Sequence, residues 1–388
     1  TCLSDADLLI VGTQDISNPD TFIEALETAI RANQPILYVH QHSWNSAITT
    51  EALLNLLGLS MQRLGGPGNY FAQDQAQWAN AETMFQQASA LSYLKQMIEH
   101  FIADDFEIDL SLCEGNCNNQ ETFLHEFAQA ARIIRSNNQS LEKRGTNLFQ
   151  TEGETLHKLL VLLGDQWRTQ VRFPMDKTST VNSDFLRSYY ADHSHLIHRS
   201  INPAQPDLGD FSRSDLSHIT PEDVTHTYLS KRPFRSALVY ALPGQPFTVH
   251  RLDTHQDLSV SVQVNSLRHS SVHEFDENGY TRPKYVTSEA IPIDVGEVLT
   301  LTSPYGGPIQ LRFNTNDIEA ELAFTAVGQH PVWRSTEDDL TFPAALERGD
   351  YDWAEVITSH FEIHSTLSKM RETFDHPLFT TGSELADL

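Results

Sequence analysis

The spacing of hydrophobic and polar residues in the first 75 residues predicts an α/β unit. Two short apolar runs, residues 7–12 (DLLIVG) and 35–40 (PILYVH), flank residues 19–32, where apolar side chains recur at helical spacing. A strand, a helix and a strand in this order favour a parallel sheet, because parallel neighbours need a crossover connection. We therefore predict a Rossmann- or flavodoxin-like accessory domain over residues 1–75, truncated at its N-terminus.

Helical spacing then predicts a helical layer over residues 76–173. Apolar residues recur every three or four positions in three separate segments. These positions are Met84, Ala88, Leu91, Leu94, Ile98 and Phe101; Phe123, Phe127, Ala130, Ile133 and Ile134; and Leu156, Leu159, Leu160 and Leu163. Residues 174–222 lack this periodicity and are rich in Ser, Asp, Asn, Pro and His, so we expect a linker there.

Alternating apolar and polar residues predict an antiparallel β-sandwich over residues 223–335. Short apolar runs are divided by turns about every 8–12 residues. The alternation is clearest at Leu258, Val260, Val262 and Val264. Helical spacing returns in residues 336–388, at Trp353, Val356, Ile357, Leu367, Met370 and Phe374. We therefore predict a multidomain α+β chain that ends in a helical segment.

The net charge excludes one class of partner. Lys and Arg number 26 against 52 Asp and Glu, so the formal net charge is −26. Binding to a phosphate backbone requires a concentrated basic surface, so we exclude nucleic acid. The acidic residues are spread along the chain, which favours solubility, and a cationic partner or calcium stays open. Since no apolar stretch reaches the roughly 18–20 residues of a membrane helix, we expect no membrane span.

Three cysteines bear on the cellular compartment. Cys113 and Cys117 lie in a glycine-bearing segment, and neither a second Cys pair nor a suitably spaced His completes a zinc site. We predict a local disulfide between them, with three reduced thiols as the alternative. Cys2 is then left over, which fits a partner upstream and an oxidising compartment. Because the chain starts at Thr1 without a signal peptide, we expect it to be a processed or excised segment.

The sequence contains no complete catalytic motif. A zinc-protease helix carries His-Glu-x-x-His, which places two imidazoles one turn apart around a general base. His125 and Glu126 begin this motif, but Gln129 stands where the second His is required. Other histidines cluster without that motif at His193, His195 and His198, at His269 and His273, and at His360 and His364. We therefore predict no metal site and no catalytic residue in this chain.

Three stretches of the chain resemble landmarks of one protein family. They are residues 240–244 (YALPG), residues 301–309 (LTSPYGGPI) and residues 349–355 (GDYDWAE), the last followed by residues 361–365 (FEIHS). The early runs LLIVG and ILYVH, with residues 68–71 (GNYF), are similar to an accessory α/β domain of the same family. Together these stretches resemble the enhancin-like, ImpA-type zinc metallopeptidases over most of the chain.

This resemblance implies the non-catalytic N-terminal portion of a secreted bacterial zinc metallopeptidase that cleaves O-glycosylated, mucin-type proteins. The resemblance places the zinc-binding helix of the parent protein beyond this chain, so we expect no bound zinc and no activity from the chain alone. The implied partners are O-glycosylated proteins or mucins and a downstream catalytic domain.

The family landmarks also supply candidate substrate-binding residues, which are Tyr305, Gly306, Gly307, Trp353 and Glu355. A glycine pair lets another surface approach the backbone closely, and a tyrosine can stack on a sugar face. The alternative for each is a structural role, with the tyrosine packed beneath a turn and the tryptophan in a core.

Two other functions stay open. One is a stand-alone extracellular adhesin or carbohydrate-binding module without protease activity. The other is a nucleotide-dependent enzyme, because Gly12 and His40 end the two predicted strands where such sheets bind ligands. No phosphate-binding loop accompanies them, so we expect this domain to be structural.

Overall fold

The computed structural model describes residues 8–12, 19–32, 34–39, 56, 90–106, 108–265, 272–375 and 381–387. Contacts divide the chain into two compact units, residues 1–88 and 89–388.

The first unit contains the predicted order of strand, helix and strand. Strand β1 (Leu9–Gly12) pairs in parallel with β2 (Ile36–Val39), and helix α1 (Pro19–Arg31) connects them. Leu26 and Val11 are buried and pack in one small core, as expected for a crossover helix lying on its sheet. The sheet in the described part of this unit has two strands.

Helices form one layer of the second unit. They are α2 (Ala90–Ala103), α3, α4 (Thr155–Arg168) and α5 (Asn182–His193). Helix α3 runs from Glu121–Phe123 through a π-helical turn, Leu124–Ala128, into Gln129–Lys143. Their apolar faces share an aromatic core that includes Phe123, Phe127, Phe185 and Tyr190. No helix in the described ranges is both long and apolar enough to cross a membrane.

Helix α5 corrects the prediction that residues 174–222 form a linker. Phe185 is fully buried in the helical core. The helical pattern was hidden because polar residues of α5 are buried as well. Asp192 accepts a hydrogen bond from the Tyr280 hydroxyl at 2.7 Å, and His193 Nδ1 lies 2.7 Å from a backbone oxygen one turn earlier. Buried polar side chains with partners carry little penalty, so composition alone misplaced this helix.

The predicted β-sandwich is confirmed. One four-stranded sheet contains β3 (Glu222–Leu229), β10 (Glu319–Val327), β5 (Phe247–Arg251) and β8 (Val298–Leu301), in that order. The other contains β4 (Phe234–Ala241), β9 (Gly307–Phe313), β6 (Val260–Val264) and β7 (Ile291–Ile293). All of these pairings are antiparallel. Inward-facing residues of both sheets form one core, which contains Val239, Val249, Val262 and Phe324.

The last part of the chain is a small mixed module rather than a helical segment. Its sheet has the order β11 (Val332–Trp333), β12 (Trp353–Ile357) and β13 (Glu362–Thr366). Its helices are α6 (Thr341–Arg348), α7 (Leu367–Phe374) and α8 (Gly382–Ala386).

The helical prediction for Trp353, Val356 and Ile357 is wrong. These residues lie in β12, all five residues of which are buried. A short strand covered on both faces is continuously apolar, and its positions i, i+3 and i+4 then imitate a helix.

Candidate functional site

The turn between β8 and β9 has a backbone that requires its glycines. Gly306 has φ +68° and Gly307 has φ +127°. A Cβ atom on Gly307 would lie 1.9 Å from Asn265 Oδ1, so the position has no room for a side chain. Asn265 Nδ2 in turn donates to the Gly306 carbonyl at 2.7 Å, and Ser303 Oγ accepts from the Gly306 N–H at 3.0 Å. The glycine pair therefore lets the turn pack tightly against β6.

Tyr305, at the centre of this turn, is an internal residue. Its side chain is fully buried, with its ring 5.5 Å from that of His195. The Arg168 guanidinium carbon lies 5.9 Å from the same ring centroid. Burial raises the pKa of Tyr305 above its ordinary value, so the phenol stays neutral. In this position the side chain cannot stack on a sugar. Tyr305 instead has the structural role, packed beneath a turn.

A buried ion cluster joins this turn to the helical layer. Asp165 of α4 accepts hydrogen bonds from Arg168 at 2.6 Å and from Arg199 at 2.6 and 2.7 Å. The hydroxyl of Thr302, at the end of β8, donates to the Arg199 carbonyl at 2.8 Å, and Asn202 Nδ2 donates to the Thr302 carbonyl at 2.8 Å. One carboxylate thus holds two guanidinium groups, and the helices and the sandwich are fixed together at this point.

Trp353 belongs to the same hydrophobic cluster as Tyr305. Its side chain is 3% exposed, and its ring lies 6.1 Å from that of Phe211. Tyr240 and Tyr351 complete the aromatic part of this cluster. The structure therefore brings together two of the predicted site residues, but in a core beneath the surface.

The loop of residues 204–219 covers this core and borders two clefts. Asp352 fixes the loop by accepting hydrogen bonds from the backbone N–H groups of Arg213 and Ser214, each at 3.1 Å. A cleft of about 910 Å³ lies between the loop and residues 242–245. A second cleft of about 590 Å³ lies between the loop and the C-terminal module, where Arg371 lines it. Both volumes fall in the range of ligand sites, and the walls of both clefts mix polar and apolar surface.

Glu355 is the centre of a second buried cluster, between the sandwich and the C-terminal module. Its side chain is 1% exposed. His364 Nδ1 lies 2.6 Å from Glu355 Oε1, His330 Nε2 lies 3.1 Å from Oε2, and the Ser236 hydroxyl donates to Oε2. His364 Nε2 lies 3.2 Å from Glu362 Oε2. Strand β4 of the sandwich and strands β12 and β13 therefore meet at one carboxylate.

The electrostatics of this cluster favour its charged form. Burial alone would raise the pKa of Glu355, but the two histidines hold it well below its ordinary value. Burial alone would lower the pKa of His364, but its hydrogen bond to Glu355 and the negative charge of nearby Glu362 raise it to about 9. His364 is therefore an imidazolium at neutral pH, and the cluster is a buried ion pair.

The residues of these clusters do not fit a metal ion. Among the described residues, no group of three or more His, Cys, Asp or Glu side chains is placed to hold one. Glu355 is already hydrogen-bonded to the Ser236 hydroxyl and to His364, and a protonated imidazole repels a cation. His193 is buried, which lowers its pKa to about 3, and its Nδ1 faces a carbonyl oxygen. His125 pairs at 3.8 Å with Glu121 of the same helix, and His269 lies outside the described residues.

Cys113 and Cys117 are joined by a disulfide in the structure. Both side chains are buried, and the bridge closes the turn that precedes α3. Cys2 lies outside the described residues.

Sequence reasoning missed the partners of Glu355. His330 and Ser236 lie far from it in the chain, and the spacing of His364 from His360 does not indicate a contact with Glu355. One signal was present in the sequence: a glutamate inside the apolar run WAEVI must find a partner if that run is buried.

Comparison with known proteins places the chain among related sequences. A family model described as the immunomodulating metalloprotease N-terminal domain matches residues 1–70, and one described as the helical domain matches residues 95–200. The immunomodulating metalloprotease of Pseudomonas aeruginosa is 25% identical over 399 residues, which cover 97% of this chain and 42% of that protein. The chain thus spans less than half the length of this relative.

Solved structures show the same fold. The IMPa metallopeptidase from Pseudomonas aeruginosa matches with a TM-score of 0.78 and 24% identity, and its complex with an O-glycopeptide matches with 0.77 and 24%. Each match covers 97% of this chain and 44% of the other. An IMPa metallopeptidase in complex with T-antigen matches with a TM-score of 0.75 and 23% identity, covering 96% and 44%.

Proposed function

Since these matches confirm the resemblance to ImpA-type metallopeptidases, we propose that the chain is the substrate-positioning front portion of a zinc metallopeptidase acting on O-glycosylated proteins. The observation that carries this proposal is the 25% identity to an immunomodulating metalloprotease, which extends over 97% of the chain. Such continuous similarity favours a shared role for the whole segment rather than for one shared domain.

The geometry of the second unit supports a positioning role. Its clefts are wide and open, and part of their walls comes from a loop that is held by backbone hydrogen bonds. The related solved structures bind an O-glycopeptide and T-antigen. By this relationship the ligand of the present chain is a glycosylated polypeptide, and zinc is bound by ligands outside the described residues.

The domain division belongs to the same proposal. In it, residues 1–75 form an α/β accessory domain with a wider Rossmann-like sheet, and the helical domain starts at residue 76 and includes α5. Residues 223–335 are the sandwich, and residues 336–388 begin the peptidase domain. The buried disulfide and the acidic surface suit an extracellular protein. A stand-alone adhesin is not favoured, because the matched relatives are metallopeptidases.

Cleavage of an O-glycoprotein by the product of the complete gene tests this function. We expect that product to cut a mucin-type substrate, to leave its enzymatically de-O-glycosylated form intact, and to lose activity with a zinc chelator. The present chain is expected to bind the glycosylated substrate without cutting it. Equal cleavage of both substrate forms would contradict the glycan requirement, and binding without cleavage by both products would favour the adhesin.

A further inference from the structure

A small pocket opens between the turn that precedes β4 and the turn that joins β12 to β13. Its volume is about 190 Å³, below the roughly 300 Å³ of the smallest drug-sized sites, so it accommodates a single ring or a small group. The side chains that define it are Lys231, Arg232, Phe234, His360, Phe361 and His364.

The pocket combines several cations in a chain whose formal charge is −26. Arg232 is exposed, and its guanidinium has no hydrogen bond or ion pair with any described residue. Lys231 Nζ donates to the Ser359 carbonyl, which leaves its charge without a carboxylate partner in the described ranges. Unneutralised cations beside a concave surface attract anions.

The wall of the pocket supplies a buried donor. The His364 side chain is 8% exposed, and its Nδ1 is hydrogen-bonded to Glu355. Its Nε2 is buried and has no partner in hydrogen-bond geometry among the described residues, although Glu362 Oε2 lies 3.2 Å away. A buried donor without a hydrogen bond costs free energy unless a ligand satisfies it. Because the raised pKa of His364 keeps the ring protonated at neutral pH, Nε2 carries the proton that such a ligand would accept.

The carboxylates around the pocket are already engaged. Glu362 lies 2.8 Å from Arg235 Nε and accepts from the Ser236 N–H at 3.0 Å. Glu355 is held by its histidines and by a serine. These two carboxylates neutralise Arg235 and His364. The charges of Lys231 and Arg232 are left free for a ligand.

Two aromatic rings give the pocket an apolar side. Phe234 is half-buried, with its ring 5.7 Å from that of His364, and Phe361 is 36% exposed. The turn that carries Phe361 is fixed, because Thr358 Oγ accepts the N–H groups of His360 at 3.1 Å and Phe361 at 2.9 Å. Aromatic faces beside charged donors suit a ligand that presents C–H groups next to an acid group, as an acidic sugar does.

We propose that this pocket binds the acid group of a carboxylated or sulfated sugar ring, with Arg232 and His364 Nε2 as donors and Phe361 against the ring. The step from a small organic anion to an acidic sugar rests on the proposed function, because O-glycosylated proteins present such sugars. The pocket would then add a preference for acidic glycans at a place that shares no lining residue with the two clefts beside the loop of residues 204–219.

Titration of this chain with four small ligands tests the proposal without any cleavage step. Ligand-observed NMR at pH 7 would compare methyl glucuronide, galactose 6-sulfate, galactose and inorganic sulfate. We expect at least one of the two acidic sugars to bind. Whichever binds more tightly, methyl glucuronide or galactose 6-sulfate, shows whether the pocket prefers a carboxylate or a sulfate. Arg232→Gln should weaken that binding about tenfold or more, since a hydrogen bond to a charged group is lost. Arg348→Gln, which removes an exposed arginine outside the pocket, should leave binding unchanged.

Several results would overturn the proposal that this pocket binds an acidic sugar. These are no binding of either acidic sugar, equal binding by the Arg232→Gln variant, or binding of galactose or inorganic sulfate as tight as that of the acidic sugar. Failure of the proposed function is distinguishable, because it would appear as absent cleavage by the complete gene product while the titration is unaffected.

Discussion

Replacement of Glu355 by Gln removes the carboxylate that joins the sandwich to the C-terminal module. In the folded chain this carboxylate, together with that of Glu362, raises the pKa of His364 from 6.5 to about 9. At about 1.4 kcal/mol for each pKa unit, that rise corresponds to about 3.5 kcal/mol of folding free energy, of which Glu355 supplies the larger share. The same figure lies at the lower end of the roughly 3–5 kcal/mol lost when one partner of a buried ion pair is removed. We therefore expect Glu355→Gln to lower the free energy of unfolding by about 3 kcal/mol at neutral pH.

The pH dependence gives the sign of the effect. The folded-state pKa of His364 lies above its unfolded value, so its contribution is fully present below about pH 6.5 and is lost as the pH rises through about 9. The difference between wild type and Glu355→Gln should accordingly shrink between pH 6.5 and pH 10.

Urea unfolding at a series of pH values measures this difference. Trp333 and Trp353 are both buried in the C-terminal module, so their fluorescence reports on its unfolding. Glu319→Gln, at an exposed position of β10, is the matched control and should change stability by less than about 0.5 kcal/mol. A Glu355→Gln protein as stable as wild type, with the same pH profile, would refute the ion-pair assignment.

Three further predictions concern the second unit. Asp165→Asn leaves two buried guanidinium groups without their counter-ion and should cost about 3–5 kcal/mol in thermal or urea unfolding. Gly307→Ala forces a Cβ atom to within 1.9 Å of a neighbouring amide oxygen at positive φ, and should cost more than Gly296→Ala, where φ is also positive but the space is open. Replacing Cys113 and Cys117 by Ser opens a five-residue loop, and should lower stability by about 2 kcal/mol without changing the fold seen by circular dichroism.

Controls separate these effects from general damage. Asp184→Asn removes a carboxylate that is 63% exposed and 3.5 Å from Arg187, and should be nearly neutral. A neutral Asp165→Asn variant would contradict the assignment of a buried ion cluster at the turn. Equal losses for Gly307→Ala and Gly296→Ala would show that the backbone conformation alone, rather than the close contact with Asn265, sets the cost.

The parts of the fold that sequence predicts are those with a regular period. Alternation at Val260, Val262 and Val264 places β6, because every second side chain enters one shared core. The strand–helix–strand order of residues 9–39 likewise follows from apolar runs and a helical face. Helix α5 was missed because Asp192 and His193 are buried with partners from elsewhere in the chain, which composition cannot reveal.

The candidate site was less predictable because it depends on contacts distant in sequence. The sequence indicates the turn at Gly306 and Gly307. It does not show that this turn contacts Asn265 tightly and that Tyr305, the residue before the glycines, is buried inside the molecule. Glu355 was also identified, yet its role follows from His330, a residue on another segment. The residue types in the family landmarks therefore predict where the fold is tightly constrained. Only the packing in the structure distinguishes a structural residue from one that contacts a ligand.

Zinc content, glycopeptide binding and glycopeptide cleavage, measured together on residues 1–388, test most directly whether this chain positions substrate for a metal centre located elsewhere. We expect no stoichiometric zinc after dialysis against trace metal, no cleavage, and binding of an O-glycopeptide that is weakened when the glycan is removed. Stoichiometric zinc together with cleavage by this chain, or equal binding of the glycosylated and bare peptides, would contradict that role.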